Sequence, residues 1–266
     1  FKEYKPFAIM HFAALSQVNE SFCNPGLYWR NNVLGSLNLI ETALKNNCSN
    51  FIFSSTCATY GEKDNIELTE ETPQTPSNAY GFSKKAVEDI LFNFAEITDL
   101  SFIIFRYFNV AGADPETEVG EFHKPETHLI PRILDVINGQ REKFTIYGND
   151  YNTPDGTCIR DYIHVCDLVD AHIIGLERLK DDNISNVYNL GTGIGFSVKD
   201  VINSVKGITN KNFKIEERER RIGDCSKLVA SSKLAKKELG WIPYRSNLNQ
   251  IISDAWKWHQ VGTYKK

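Results

Sequence analysis

The chain has 266 residues, 41% hydrophobic and 24% charged, a composition that fits one large α/β unit or one with a smaller appended lobe. Its 30 Lys and Arg against 34 Asp and Glu leave a formal charge of −4 with no basic tract, so neither nucleic acid nor a membrane surface is expected as a partner. No run approaches the ~18 apolar residues of a membrane-spanning helix, and six cysteines without a C-x-x-C pair read as free thiols of a reducing compartment such as the cytoplasm.

The sequence opens at Phe1 and soon enters an apolar run at 7–12, a beginning that leads one to expect a further segment before it. Residues 27–46 carry a helical pattern, and 50–54 are apolar and β-rich, ending in Ser54-Ser55-Thr56. A second helix follows Ser77 and Asn78, either of which can cap it with a side-chain oxygen. Its apolar residues Ala86, Val87, Ile90, Leu91 and Phe94 recur three and four apart, as one buried face requires. Residues 101–107, SFIIFRY, form a continuous apolar strand. Strands of this kind separated by helices indicate βαβ units and a parallel sheet buried on both faces. Such sheets bind ligands at the carboxyl ends of their strands, here 11–16, 54–56 and 107–109.

After Asn109 polar loops at 110–126 and 148–160 alternate with short strands at 144–147 and 187–190. Helices at 165–179, 232–239 and 248–259 complete what reads as a smaller lobe laid over the sheet. The expected fold class is therefore α/β.

Tyr80 and Lys84 stand at the start of the second helix, one turn apart and on one face. An ammonium beside a tyrosine favours the tyrosinate and makes it a better base. Taken alone, Y-x-x-x-K is more often a surface tyrosine packed on a lysine stem. The hydroxyls of Ser54 to Thr56 at the sheet edge shift the balance, because one of them could hold a substrate oxygen while the tyrosine exchanges its proton.

A Ser/Thr edge followed by Tyr-x-x-x-Lys on these elements resembles the short-chain dehydrogenase/reductase superfamily in its extended, nucleotide-sugar branch. HFAAL at 11–15, NNVLGSLNLIE at 31–41, RYFNVAGADPE at 106–116, ETHLIP at 126–131, YGNDYNTPDGTCIRDYIHV at 147–165, YNLGTG at 188–193 and RRIGD at 220–224 are similar to the UDP-glucose 4-epimerase family over nearly the whole chain. That resemblance implies a Rossmann-like, doubly wound parallel sheet, N-terminally truncated, with a smaller C-terminal α/β substrate lobe. The incomplete NAD-binding domain would span 1–110 with parts of 150–180, and the UDP-sugar-binding lobe mainly 111–266. The family's Gly-rich pyrophosphate loop would precede Phe1.

The same resemblance implies reversible C4 epimerisation of a UDP-hexose through a 4-keto sugar, with tightly bound NAD. Tyr80 would take the proton of the sugar O4, Lys84 would lower the tyrosine pKa and hold the nicotinamide ribose, and Thr56 would hydrogen-bond the 4-oxygen. Cofactor contacts carried over by position are Phe12, Ala13, Ala14, Ser16, Asn31, Tyr107 and Phe108, together with Thr56, Tyr80 and Lys84. UDP-sugar contacts are Asn109, Leu129, Tyr147, Arg160, Arg221, Asp224 and Leu228. The two guanidinium forks suit pyrophosphate oxygens. A leucine at 228, where strict glucose/galactose enzymes carry a tyrosine, implies room for N-acetylated sugars. A homodimer through the 27–46 and Tyr80 helices is also implied.

Rival readings come from the same residues. Dehydratases of this fold place Asp-Glu after the catalytic threonine, whereas Cys57-Ala58 stand here and cannot do acid–base work. UDP-xylose/UDP-arabinose 4-epimerases share SSTCATYG and GTCIRDY. A non-catalytic epimerase-like binding protein would be expected if the chain truly started at Phe1. GTGIG at 191–195 follows a strand but lies in the substrate half and is not expected to bind a dinucleotide. Asp150, Asp155, Asp161, His164 and Asp167 match no metal-loop spacing, and no metal is expected. Cys57 lacks a histidine partner and reads as a packed small residue.

Overall fold

Alternation along two strands decides the architecture, because successive side chains of a strand face opposite ways. In the computed structural model, Phe51, Phe53, Phe102 and Ile104 bury one face of a sheet together with Ile40, Val87 and Leu91. Ile52, Ile103 and Phe105 bury the other together with Leu168, Ala171, Leu179 and Trp241. Both faces are covered by helices, as a doubly wound sheet demands.

The structure describes residues 1–63, 67–182, 184–221 and 224–261. The chain runs through β1 (Ala8–His11), α1 (Val18–Cys23), α2 (Pro25–Tyr28), a π-helical stretch at Trp29–Leu34, α3 (Gly35–Lys45), β2 (Asn50–Thr56), α4 (Ala79–Ile97) and β3 (Ser101–Tyr107). It continues with β4 (Asn109–Ala111), α5 (Leu129–Ile137), β5 (Phe144–Tyr147), β6 (Ile159–His164), α6 (Val165–Asp182), β7 (Asn186–Leu190) and β8 (Gly195–Ser197). The last elements are α7 (Val198–Thr209), β9 (Ile215–Arg218), β10 (Lys227–Leu228), α8 (Lys233–Leu239) and α9 (Leu248–Gln260).

The main sheet is parallel, in the order β1-β2-β3-β7. It therefore recruits a strand at 186–190, beyond the 150–180 stretch expected to join residues 1–110. A second sheet has the order β10-β6-β4, with β8 antiparallel to β6, and β5 pairs with β9. Around these, α5, α7 and α9 bury Ile130, Ile133, Leu134, Val201, Ile202, Val205, Leu248, Ile251 and Ile252 in a second core. Helix α7, not expected from sequence, is started by a reciprocal capping box between Ser197 and Asp200. Part of the expected loop at 148–160 is the beginning of β6.

Candidate active site

Thr56 ends β2 directly opposite Tyr107, which ends β3, so both side chains stand at the carboxyl edge of the sheet. The chain then makes a tight 3-10 turn at Cys57–Thr59, in which Thr56 Oγ1 accepts from the Ala58 amide at 3.2 Å. Helix α4 starts on Asn78, whose side chain accepts from the Gly81 amide at 2.9 Å. Gly81 presses against that turn: a Cβ on it would lie 2.5 Å from the Ala58 carbonyl oxygen. Only glycine tolerates this approach, and it brings the first turn of α4, with Tyr80, onto the end of β2.

Tyr80 consequently lies beside the Thr56 side chain, which favours the tyrosinate. Burial pushes its own hydroxyl above the ordinary tyrosine range, Tyr107 adds to this, and Thr56 counters it. Lys84, one turn on, donates from Nζ to the Ser54 carbonyl at 2.7 Å and lies 4.7 Å from the Phe53 ring centroid. Burial lowers its pKa to about 8, with Glu88 opposing. The causes that act on the Tyr80 hydroxyl here are burial, Tyr107 and Thr56, while the Lys84 ammonium donates to the strand carbonyl.

The floor beneath these residues is polar and fully engaged. Ser54 Oγ meets His172 Nε2 at 3.2 Å, and burial raises the pKa of the neighbouring Tyr107 hydroxyl while Ser54 counters it. Ser55 donates to Glu88, and Glu88 pairs with Arg106 at 2.6 Å, both partners buried. Arg106 also donates to the Tyr60 hydroxyl at 3.1 Å, and Tyr60 in turn donates to Asn189 at 2.7 Å.

Beside this edge lies the 12–16 loop. Phe12, Ala13 and Ser16 are exposed, Ala14 is half-buried, and Phe12 packs on the His172 ring at 4.8 Å. The loop is held by a residue that sequence reading missed. Asn32 accepts from the Leu15 amide at 2.9 Å, donates to the Leu15 carbonyl at 3.0 Å and donates to Ser83 of α4 at 3.0 Å. Asn31, the expected contact, is exposed next to it and donates to Asn32 Oδ1. Both asparagines were legible in NN; which of them turns inward was not. His11 at the end of β1 bonds Ser36 at 2.8 Å, and burial with the nearby Lys84 lowers its pKa to about 4, so its ring is neutral.

From the other side come the residues of the second lobe. Cys57 neighbours Arg160, Asp161 and Cys225, and burial pushes its thiol up to about 12, so it is no nucleophile. Arg160 is flanked in register by Leu228 on β10 and Phe196 on β8. Burial opposes its charge, but Cys225, Cys158 and Asp224 facing it prevail. Arg221 donates to Asp224 at 2.7 Å and lies 5.0 Å from the Tyr147 ring centroid. Leu228 packs against the cluster of Tyr60, Leu68, Phe108 and Ala230, as Cys57 does. A continuous line therefore runs from Tyr80 through Thr56, Cys57, Arg160 and Asp224 to Arg221 and Tyr147. Two expected residues lie outside it: Asn109 is exposed at the start of β4, opposite Tyr162, and Leu129 begins α5, packed on the second core.

The set-aside motifs have their own places. The amides of Thr192 and Gly193 both donate to the buried Asp161 carboxylate, so the GTGIG loop already holds an anion of the protein's own. Asp150 pairs with Arg220, Asp155 with Thr157 and Ser197, and Asp167 with Ser246 and the Arg245 amide; the five residues do not converge.

A doubly wound sheet carries hydroxyl, tyrosine and lysine at its carboxyl edge with arginines of a second lobe nearby, an arrangement suited to alcohol–ketone chemistry on a phosphate-bearing ligand. Residues 1–191 match the NAD dependent epimerase/dehydratase family, and the chain belongs to it. It is 45% identical over 257 residues to the UDP-glucose 4-epimerase of Rhizobium leguminosarum bv. trifolii, covering 97% of this chain and 78% of that one. The UDP-glucose 4-epimerase of Streptococcus mutans is 45% identical over 252 residues, 95% of this chain and 76% of that one. Among solved structures, UDP-glucose 4-epimerase from Brucella ovis in complex with NAD superposes with a TM-score of 0.93 at 42% identity, covering 96% of this chain and 79% of that one.

Proposed function

We propose that the protein interconverts UDP-glucose and UDP-galactose by epimerisation at C4, as an NAD-dependent isomerase. The observation that carries this reading is the approach of Tyr80 to Thr56 at the sheet edge, with Lys84 one turn on along the same helix and Arg160 near Cys57. Relatives at 45% identity carry that activity in their names.

The residues at the edge fit the nicotinamide half of NAD: Lys84 offers a buried ammonium, Tyr80 a hydroxyl, and the Asn32-held 12–16 loop an exposed ledge beside them, with Tyr107 and Phe108 closing it. When bound, NAD supplies the redox partner for the sugar carbinol. The chain's own work is then to position and to move one proton. Thr56 holds the sugar 4-oxygen, and Tyr80 takes the proton from it and later returns it. Lys84 orients the ribose and supplies positive charge. Arg160 and Arg221 hold the pyrophosphate, with Asp224 and Tyr147 placing Arg221. Cys57-Ala58 after Thr56 offers no acid–base pair for dehydration.

Residues 1–110 with β7 and α6 form the cofactor-binding part in this reading, and the rest mainly binds the UDP-sugar. The protein acts as a homodimer in the cytoplasm. Exposed Leu27, Trp29, Leu34 and Phe82, on the helical stretches expected to pair, support the dimer, and six free cysteines support the compartment. No helix among the described residues is long and apolar enough to cross a membrane.

The test is incubation of the purified protein, supplied with NAD, with UDP-galactose, followed by proton NMR of the anomeric signals. UDP-glucose should accumulate to equilibrium, and Tyr80→Phe should slow this by 10²–10⁴-fold, the usual contribution of a positioned acid–base group. Turnover that survives Tyr80→Phe unchanged would remove the assignment.

A further inference from the structure

The segment 120–128, GEFHKPETH, gathers four metal-ligating side chains that the reaction does not use. Glu121, His123, Glu126 and His128 each offer one ligand atom, all within 4.8 Å of one another. His123 Nδ1 lies 3.3 Å from Glu121 Oε1 and 3.4 Å from Glu126 Oε2, and His128 Nδ1 bonds the same Glu121 oxygen. A tetrahedral ion with bonds of ~2.0–2.1 Å separates its ligand atoms by about 3.4 Å. Two edges of that tetrahedron are therefore already in place.

The surroundings hold the ligands as a metal site requires. Glu126 is buried, and its Oε1 accepts from the Thr127 and His128 amides at 2.7 and 2.8 Å, which leaves Oε2 turned into the cluster. The Glu121 carbonyl accepts from Trp258 Nε1 at 3.0 Å, and Gly120 lies so near the Trp258 ring that a Cβ would meet it at 2.4 Å. The loop is thus fixed to α9 independently of any ion. The described ion pairs of both carboxylates are to the two histidines, groups that become neutral metal ligands when they lose a proton.

We propose that Glu121, His123, Glu126 and His128 bind a divalent transition ion of the zinc class. Two imidazole nitrogens and two carboxylate oxygens are borderline donors suited to zinc. Four protein ligands leave no open position, so the ion is structural. It would brace the loop that leads into α5 at Leu129, and the proposal stands whether or not the epimerase reading does.

The alternative is a hydrogen-bonded Glu–His cluster that needs no ion. Full-length protein stripped with EDTA is dialysed against zinc and analysed by mass spectrometry of the metal. The same protein loaded with cobalt is read by visible absorption. The expected result is one zinc per chain, a tetrahedral cobalt spectrum without thiolate charge transfer, and a thermal midpoint raised by zinc. His123→Ala, a change at a half-exposed side chain, and Glu121→Gln should each weaken zinc by at least about 10-fold, the low end of what loss of a mere supporting group costs. Zinc retained equally by both variants, thiolate bands from the six cysteines, or no zinc retained by the parent protein would each overturn the proposal.

Discussion

Gly81 stands so close to the Ala58 carbonyl that any side chain there would collide with the backbone, a Cβ lying 2.5 Å from the oxygen. This approach sets the distance between the helix bearing Tyr80 and the strand ending in Thr56. Gly81→Ala should push the first turn of α4 off the 57–59 turn and part the two hydroxyls. A displacement of about 1 Å at reacting groups costs on the order of 10²-fold in rate. The expected outcome is a fall of that size in kcat for UDP-galactose, with the folded chain retained by circular dichroism. Unchanged kcat would show that the approach is packing alone.

Lys84 carries a cost that should be visible in stability. Its pKa falls from 10.5 to about 8 on folding, because burial disfavours its charge. Between those values the unfolded chain holds a proton that the folded chain has released, so stability rises with pH across the window and is lost as pH falls through 8. The shift corresponds to roughly 3 kcal/mol, at or above the ~1.5–3 kcal/mol that a hydrogen bond from a charged donor such as that to Ser54 contributes. Lys84→Met should therefore be more stable than the parent near pH 7 and lose that advantage near pH 10, while turnover collapses. Urea unfolding at the two pH values measures the crossing, and a parallel pair of curves would refute it.

The parts of the site legible in the sequence were those with local signals. Strand β3 falls at 101–107 as its unbroken apolar run requires, and α4 begins at the cap that Asn78 offers. The placing of Thr56, Tyr80 and Lys84 at one sheet edge was legible because they lie on two predictable elements. Helix α5 was not, because LIPRILDVI follows a polar loop and carries Pro131, which tolerates only the first turn of a helix. Asn32, Gly81 and the buried Glu88–Arg106 pair act through contacts between segments distant in sequence, and no local pattern encodes these. The partner of Lys84 was not legible for the same reason: periodicity gives its face, while the Ser54 carbonyl to which it donates comes from another segment.

The Glu88–Arg106 pair predicts an asymmetry between single and double replacements. Both side chains are buried, with Glu88 1% and Arg106 5% exposed, beneath the Thr56 edge. Removing one partner leaves the other charge buried without its counter-ion, which costs about 3–5 kcal/mol. Arg106→Leu alone should destabilise by that amount, whereas adding Glu88→Leu should recover much of it. Additive losses in chemical denaturation would show that the two charges are separately solvated.

Leu228 predicts substrate range. It lies opposite Arg160 in register and packs, as Cys57 does, against the cluster that holds Tyr60 and Phe108. A tyrosine there would extend a ring toward the cleft in which the sugar is expected to turn. The parent protein should epimerise UDP-N-acetylglucosamine as well as UDP-glucose. Leu228→Tyr should reduce kcat/KM for the N-acetylated sugar by about 10–200-fold, the range a small change of pocket volume can command. Activity on UDP-galactose should remain near the parent level. Equal losses on both sugars would place Leu228 in packing and not in selection, and a parent inactive on the N-acetylated sugar but active on UDP-galactose would refute the prediction outright.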